Sequence, residues 1–172
     1  MVLERYIQTE LGTLHLAVEG DHILQGSKGE GTGENLTEIG ADGAVGSGKR
    51  LAVQETKACA LLDRLEQEIR EYFEGRRRRF DLPVHTVGTP FQEKVWAALR
   101  EIPYGQTRTY GEIAALVGSP KGARAVGMAC HHNPVLLLTP CHRVIGSSGK
   151  LVGFGCGLEM KEYLLKLERG KL

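Results

Sequence analysis

Three stretches of the chain carry side chains able to do chemistry. The first is Pro140-Cys141-His142-Arg143-Val144. A cysteine attacks carbon only as its thiolate, and a histidine partner favours that state. Neighbouring side chains meet only where the backbone turns sharply, which the preceding proline permits. On these five residues alone, an activated thiol and a buried structural cysteine beside a surface histidine are equal readings. The second stretch is Cys130-His131-His132. Together with Cys141-His142 it offers the ligand types of zinc. The spacing fits no compact zinc ribbon or finger, and successive residues on a helix point apart, so no metal is expected. The third is GAVGSGKR over residues 43–50. It matches a P-loop until Arg50, which stands where a Mg²⁺-holding hydroxyl is needed. It also follows a stretch of low hydrophobicity instead of a buried strand, so nucleotide binding is disfavoured.

The elements that must position these residues can be read from periodicity. Alternating apolar residues around Leu11-Gly12 predict a β-hairpin over residues 4–19, with a short third strand at 22–25. Residues 26–48 hold eight glycines and few large apolar side chains, which predicts a long mobile loop. Ala58, Leu61, Leu62, Leu65, Ile69 and Phe73 recur at helical spacing over about residues 54–73, with Gly75 placed to end the helix. Arg76–Arg79 follows, either a phosphate patch or a solvated run at a domain edge, and then a short strand or extended segment at 80–84. Thr89-Pro90 opens a second helix with Phe91, Val95, Trp96 and Leu99 on one face. Thr109 caps a short helix at 110–117, Gly118-Ser119-Pro120 breaks it, and another helix covers about 121–131. Two short helices around a tight turn make a helix-turn-helix candidate. Met128 and Trp96 are read as core. A last helix is expected over 158–168.

Composition narrows the class. The chain has 172 residues and 41% hydrophobic side chains, enough for one domain or two small ones with a real core. No apolar run is long enough to span a membrane, and the N-terminus has no signal-peptide core. Four cysteines are too few for a disulfide scaffold, so free thiols and a cytoplasmic location are expected. Net charge is +1, but unevenly spread. Residues 1–90 hold 11 basic and 15 acidic side chains, and residues 91–172 hold 11 and 6. The second half is the better candidate for a polyanion.

From Thr89 to Glu168 several motifs stand in fixed order. They are Thr89-Pro90-Phe91-Gln92 with Val95-Trp96, Ile102-Pro103-Tyr104-Gly105, and Thr109-Tyr110-Gly111-Glu112-Ile113-Ala114. Ala123-Arg124-Ala125-Val126-Gly127, Asn133-Pro134 and Pro140-Cys141-His142-Arg143-Val144-Ile145 follow. Gly153-Phe154, Gly157-Leu158, Lys161 and Glu168 complete the set. In these motifs the chain resembles the O6-alkylguanine-DNA alkyltransferases, also called methylated-DNA–protein-cysteine methyltransferases. The first 85 residues are similar only in general shape. The resemblance implies an α+β fold. A ribonuclease-H-like α/β domain would cover residues 1–85, with loop 26–48 a departure from the family. A winged-helix-like, helix-turn-helix domain over 86–172 would bind DNA and accept the alkyl group.

The reaction so implied moves an alkyl group from O6 of guanine, with O4 of thymine a further target, to the sulfur of Cys141, once and irreversibly. No cofactor is needed. His142 would take the thiol proton through a water, Glu168 would orient that histidine, and Asn133 would fix the turn presenting the thiol. Tyr110 would help rotate the nucleotide and hydrogen-bond the guanine. Arg124 would fill the place of the flipped base, with Ala123, Ala125 and Gly127 small enough for close approach in the minor groove. Lys121, Ser147 and Ser148 would meet phosphates. Val152, Phe154, Gly155 and Cys130 would line the pocket, and Cys156 stands near its mouth. The partner implied is double-stranded DNA carrying O6-alkylguanine, met by a monomer away from membranes. The alternative is a non-catalytic alkyltransferase-like binder of damaged DNA, a class with another residue at the position of Cys141. A helix-turn-helix regulator is disfavoured by the small residues on its second helix, and a thiol hydrolase would turn over.

Overall fold

In this computed structural model the described residues are 2–28, 37–39 and 48–171. The chain divides into two compact units, Met1–His85 and Thr86–Leu172.

The first unit is an antiparallel sheet with one long helix. Strands β1 (Val2–Thr9), β2 (Gly12–Glu19), β3 (His22–Lys28) and β4 (Thr37–Ile39) lie in the order β3-β2-β1-β4. The hairpin register runs from Val2 opposite Glu19 to Thr9 opposite Gly12. Gly12 has φ 102, which an L side chain rarely adopts, so glycine closes this turn. Helix α1 (Gly48–Phe73) packs on β1 and β2. Leu3, Ile7, Leu14, Leu16, Val18 and Ile23 from the sheet meet Ala58, Leu61, Leu62, Leu65, Ile69 and Tyr72 from the helix in the core. The helix begins earlier than its apolar stripe, at Gly48 instead of about residue 54. Much of the glycine-rich stretch, 29–36 and 40–47, lies outside the described residues, and with it most of the P-loop-like segment. The described parts depart from a continuous loop, since β3 runs on through Gly26 and Thr37–Ile39 pairs with β1.

Two features near α1 decide earlier alternatives. Residues 80–84 form no strand, only a parallel bridge between Ile23 and Val84, with Ile23 N–H donating to the Pro83 carbonyl at 3.0 Å. In the arginine run, Arg77 pairs with Glu71 at 2.8 Å and Glu68 at 3.2 Å, and Arg76 pairs with Glu74. These two guanidinium groups answer carboxylates on α1 and just past its end, with Arg77 half-buried instead of solvated.

The second unit is mainly helical. Helix α2 (Pro90–Arg100) and helix α3 (Tyr110–Leu116) both start in capping boxes, Thr89 with Gln92 and Thr109 with Glu112. Helix α4 (Ala123–His131) packs on α2 and α3, completing the helix-turn-helix pair. A 3₁₀ turn (Cys141–Arg143) leads into β6 (Val144–Ile145), which pairs in parallel with β5 (Arg108–Thr109). Helix α5 (Leu158–Glu168) packs on the 3₁₀ turn. Trp96 is buried and its indole N–H donates to the Ala129 carbonyl at 2.8 Å, tying α2 to α4. Met128 is not core: it is 57% exposed, because the buried side of α4 is carried by Val126, Ala129 and Cys130. No helix among the described residues is long and apolar enough to cross a membrane.

Candidate active site

The site is built around the 3₁₀ turn. Pro140 enters it at φ −80 and ψ 65, and the turn then buries Cys141, His142 and Arg143 together. The approach is strained, since Leu137 sits in the left-handed region at φ 71 although it has a side chain. Such a residue costs on the order of 1–3 kcal/mol and persists only where its surroundings hold it. Asn133 does much of that holding. Its side-chain amide donates to the Thr139 carbonyl at 2.8 Å and to Cys141 Sγ at 3.2 Å, while its Oδ1 accepts from Val135 N–H at 3.1 Å.

Behind the thiol lies a buried ionic hub. His142 Nε2 is 2.8 Å from Glu168 Oε1, and both side chains are fully enclosed. Arg143 grips the same carboxylate, Nη2 to Oε1 at 2.8 Å and Nε to Oε2 at 3.0 Å. Its Nη1 donates to the Ile102 carbonyl at 2.6 Å. Gly105 N–H donates to Glu168 Oε2 at 2.9 Å. Gly105 has φ 76, and a Cβ there would stand 3.1 Å from the Glu168 carbonyl, so only glycine lets this turn close on the end of α5.

Electrostatics follow from burial and these partners. Burial alone would raise the Glu168 carboxyl, but the hydrogen bonds and charges of His142 and Arg143 outweigh it and hold the group well below the usual carboxylate range. Burial lowers the affinity of His142 for a proton, more than Glu168 restores it. Burial pushes the Cys141 thiol up to about 11, with the Asn133 hydrogen bond pulling the other way. The resting state is therefore thiol, neutral imidazole and carboxylate.

A second cluster faces the thiol. Tyr110 Oη shares its proton between the carbonyls of Val152 and Gly153, at 2.9 and 3.0 Å. Lys161 is wholly buried, and its Nζ donates to the Val152 carbonyl at 2.9 Å and to Tyr110 Oη at 3.4 Å. The ammonium also lies over the rings of Tyr110 and Phe154, about 6 Å from each centroid. Burial lowers its pKa, while the charges of Cys141 and Cys130 oppose that. Burial likewise pushes the Cys130 thiol up to about 12 and raises the Tyr110 hydroxyl.

Asn133 thus contacts Cys141 and Glu168 contacts His142, the two pairs meeting through the adjacent residues of the 3₁₀ turn, and Tyr110 lies within electrostatic reach of Cys141 and Cys130. Val152 and Gly155 are exposed and Phe154 is half-buried. Arg124, Ala125, Lys121, Ser147 and Ser148 are exposed, and Ala123 and Gly127 are half-buried. Among the described residues no group of three His, Cys, Asp or Glu is placed to hold a metal. Two functional positions carry no role in the motif reading: Arg143, which locks Glu168, and Lys161, which locks Tyr110 to the Val152 carbonyl. One signal was present, for Lys161 and Glu168 fall seven residues apart on the apolar stripe of α5 beside Leu164 and Leu165.

A buried cysteine next in sequence to an imidazole that pairs with a carboxylate, set in a helix-turn-helix unit, is the arrangement a cysteine nucleophile on a DNA-binding scaffold requires. Residues 2–86 match the model of the 6-O-methylguanine DNA methyltransferase ribonuclease-like domain, and residues 90–170 match that of the DNA-binding domain. The chain belongs to the 6-O-methylguanine DNA methyltransferase family. It is 55% identical over 102 residues to a methylated-DNA–protein-cysteine methyltransferase of Methanosarcina acetivorans, covering 59% of this chain and 65% of that protein. It is 50% identical over 116 residues to the constitutive enzyme of that name from Bacillus subtilis, covering 67% and 70%. The matched segment thus spans about two thirds of these relatives. The crystal structure of Mycobacterium tuberculosis O6-methylguanine methyltransferase superposes with a TM-score of 0.77 at 39% identity, covering 100% of this chain and 95% of that one. The M. tuberculosis protein has also been solved in complex with DNA, with a TM-score of 0.76 at 40% identity over 98% and 93% of the two chains.

Proposed function

We propose that the chain repairs alkylated DNA by moving the alkyl group from O6 of guanine, and in the same manner from O4 of thymine, to Cys141 in a single irreversible turnover. The observation that carries this reading is the Cys141–His142–Glu168 arrangement, with Asn133 holding the sulfur. Sγ attacks the alkyl carbon as the C–O6 bond breaks, and the electron pair leaves with the base. The thiol proton passes through a water to His142, whose Nε2 is committed to Glu168, so Nδ1 is the receiving nitrogen. Charge growing on the guanine is met by the Tyr110 hydroxyl, which Lys161 polarises. A thioether is a poor leaving group, and nothing in the site regenerates the thiol. The presence of Cys141 in this setting disfavours the non-catalytic binder.

The base must leave the stack to reach the buried sulfur. We assign that task to α4, whose exposed Arg124 fills the vacated place, with Ala123, Ala125 and Gly127 allowing close approach in the minor groove. Lys121, Ser147 and Ser148 sit at the surface as phosphate contacts, and Val152, Phe154, Gly155 and Cys130 line the slot for the base. The four cysteines are free thiols, which suits a monomer working in the reducing cytoplasm with access to chromosomal DNA.

The test is incubation with an oligonucleotide carrying O6-methylguanine, followed by peptide mass spectrometry. One methyl per chain is expected, on Cys141, with no second turnover. Lesion removal with Cys141 unmodified would reject the reading. Arg124→Ala is expected to slow transfer from duplex by roughly tenfold or more, since flipping costs a few kcal/mol, and to spare reaction with free O6-benzylguanine. Equal losses on both substrates would remove its role in flipping. Because burial lowers the proton affinity of His142, the imidazole stays neutral through its ordinary range near 6.5. Single-turnover transfer should therefore hold its rate between pH 8 and 6.5 and fall only at lower pH. A midpoint at 6.5 or above would contradict His142 as the acceptor.

A further inference from the structure

Helix α4 turns one face to solvent. Arg124, Ala125, Met128, His131 and, just past its end, His132 are exposed, while Val126, Ala129 and Cys130 are buried. The spacing is that of a single helical stripe. It carries no acidic residue, and its cation is Arg124. At its middle stands Met128, 57% exposed between residues with little or no side chain, Ala125 and Gly127. The core does not use it. The turn that bears it is tied down, since His132 Nδ1 lies 2.7 Å from the Met128 carbonyl. An unbranched thioether adapts its shape to irregular surfaces, and methionine is among the side chains that wedge between base steps in the minor groove.

We propose that Met128 is a second groove-entering side chain, an apolar wedge that works beside Arg124. The inference rests on the reading of α4 as the DNA-docking helix. Four residues of α-helix rise ~6 Å, close to two base-pair steps of ~3.4 Å, so the two side chains address different steps. Arg124 replaces the extruded base. Met128 packs about two steps along the groove and holds the opened duplex, so the lesion is slower to return to the stack. The occupant of this stripe is a DNA duplex, because an arginine and two histidines with no carboxylate among them complement phosphate.

The experiment compares single-turnover transfer from duplex O6-methylguanine and from free O6-benzylguanine, together with the fluorescence of 2-aminopurine placed beside the lesion. Met128→Ala is expected to lose roughly tenfold on the duplex, to keep its rate on the free base, and to brighten 2-aminopurine less on binding. Met128→Leu should recover most of the duplex rate. A Met128→Ala rate on duplex within about twofold of the parent, an equal loss on both substrates, or a leucine variant as slow as alanine would overturn the wedge. Failure of the unmutated chain to accept an alkyl group from either substrate would instead strike the repair reading. The 2-aminopurine signal needs no transfer and would still report on Met128.

Discussion

Glu168→Ala should unfold the second unit more readily than any other single truncation in it. The carboxylate receives His142, both arms of the Arg143 fork and the Gly105 amide. Taking it away strands a guanidinium that is almost wholly enclosed. Breaking a buried ion pair from one side costs about 3–5 kcal/mol, a large part of the ~5–15 kcal/mol that holds a domain together. Urea unfolding should show the loss directly, and a stability within about 1 kcal/mol of the parent would contradict the hub. Glu168→Gln separates charge from shape, since an amide can still accept from Gly105 but does not neutralise Arg143.

The same hub sets an acid profile. The unfolded chain takes up a proton at His142 near 6.5, before the buried ring does, so stability is present above that pH and begins to fall below it. The unfolded Glu168 carboxyl protonates near 4.5 while the folded one resists, so a second loss sets in below 4.5 and continues as the pH falls through the depressed folded value. In Glu168→Ala the second loss should vanish from the urea midpoint measured against pH.

Cys141→Ala should abolish alkyl acceptance entirely while leaving the fold and the affinity for duplex in place. On the proposed reaction the sulfur is the sole reacting atom of the protein, so no residual rate is expected from the neighbours. Cys130 is held as a thiol by burial more firmly still, at about 12. The structural loss is small, because Asn133 keeps its 2.8 Å bond to the Thr139 carbonyl when its contact with sulfur goes. Isotope-labelled methyl from O6-methylguanine duplex should appear on no peptide of this variant, and a gel-shift titration should give parental affinity at the same salt. Label found on Cys130 or Cys156 would show that the pocket, rather than this one sulfur, selects the acceptor.

Much of the site was legible because its residues obey local rules. Thr89 and Thr109 announce helix starts through capping chemistry, and both boxes form. Pro140 before Cys141 marks a sharp turn, and the turn is there. What stayed hidden depends on burial. Arg143 and Lys161 stood in the motifs without a role, and only the packed structure shows them enclosed with carboxylate, carbonyl and phenol partners. Met128 failed in the opposite sense: helical spacing from apolar neighbours suggested core, but a short helix has room for only one buried stripe, and Val126, Ala129 and Cys130 occupy it. In the first unit the stripe of α1 was plain, whereas its glycine-led first turn and the short strand at 37–39 carry no periodic signal.

The single amide nitrogen of Asn133 touches both the Thr139 carbonyl and the sulfur of Cys141. On the proposed reaction that sulfur, buried in the resting protein, gains a carbon and becomes bulkier and a poorer acceptor. The amide and the bend it braces must then rearrange, so a spent molecule differs in shape from a fresh one, and the difference starts at the very contact that kept the unused thiol in place.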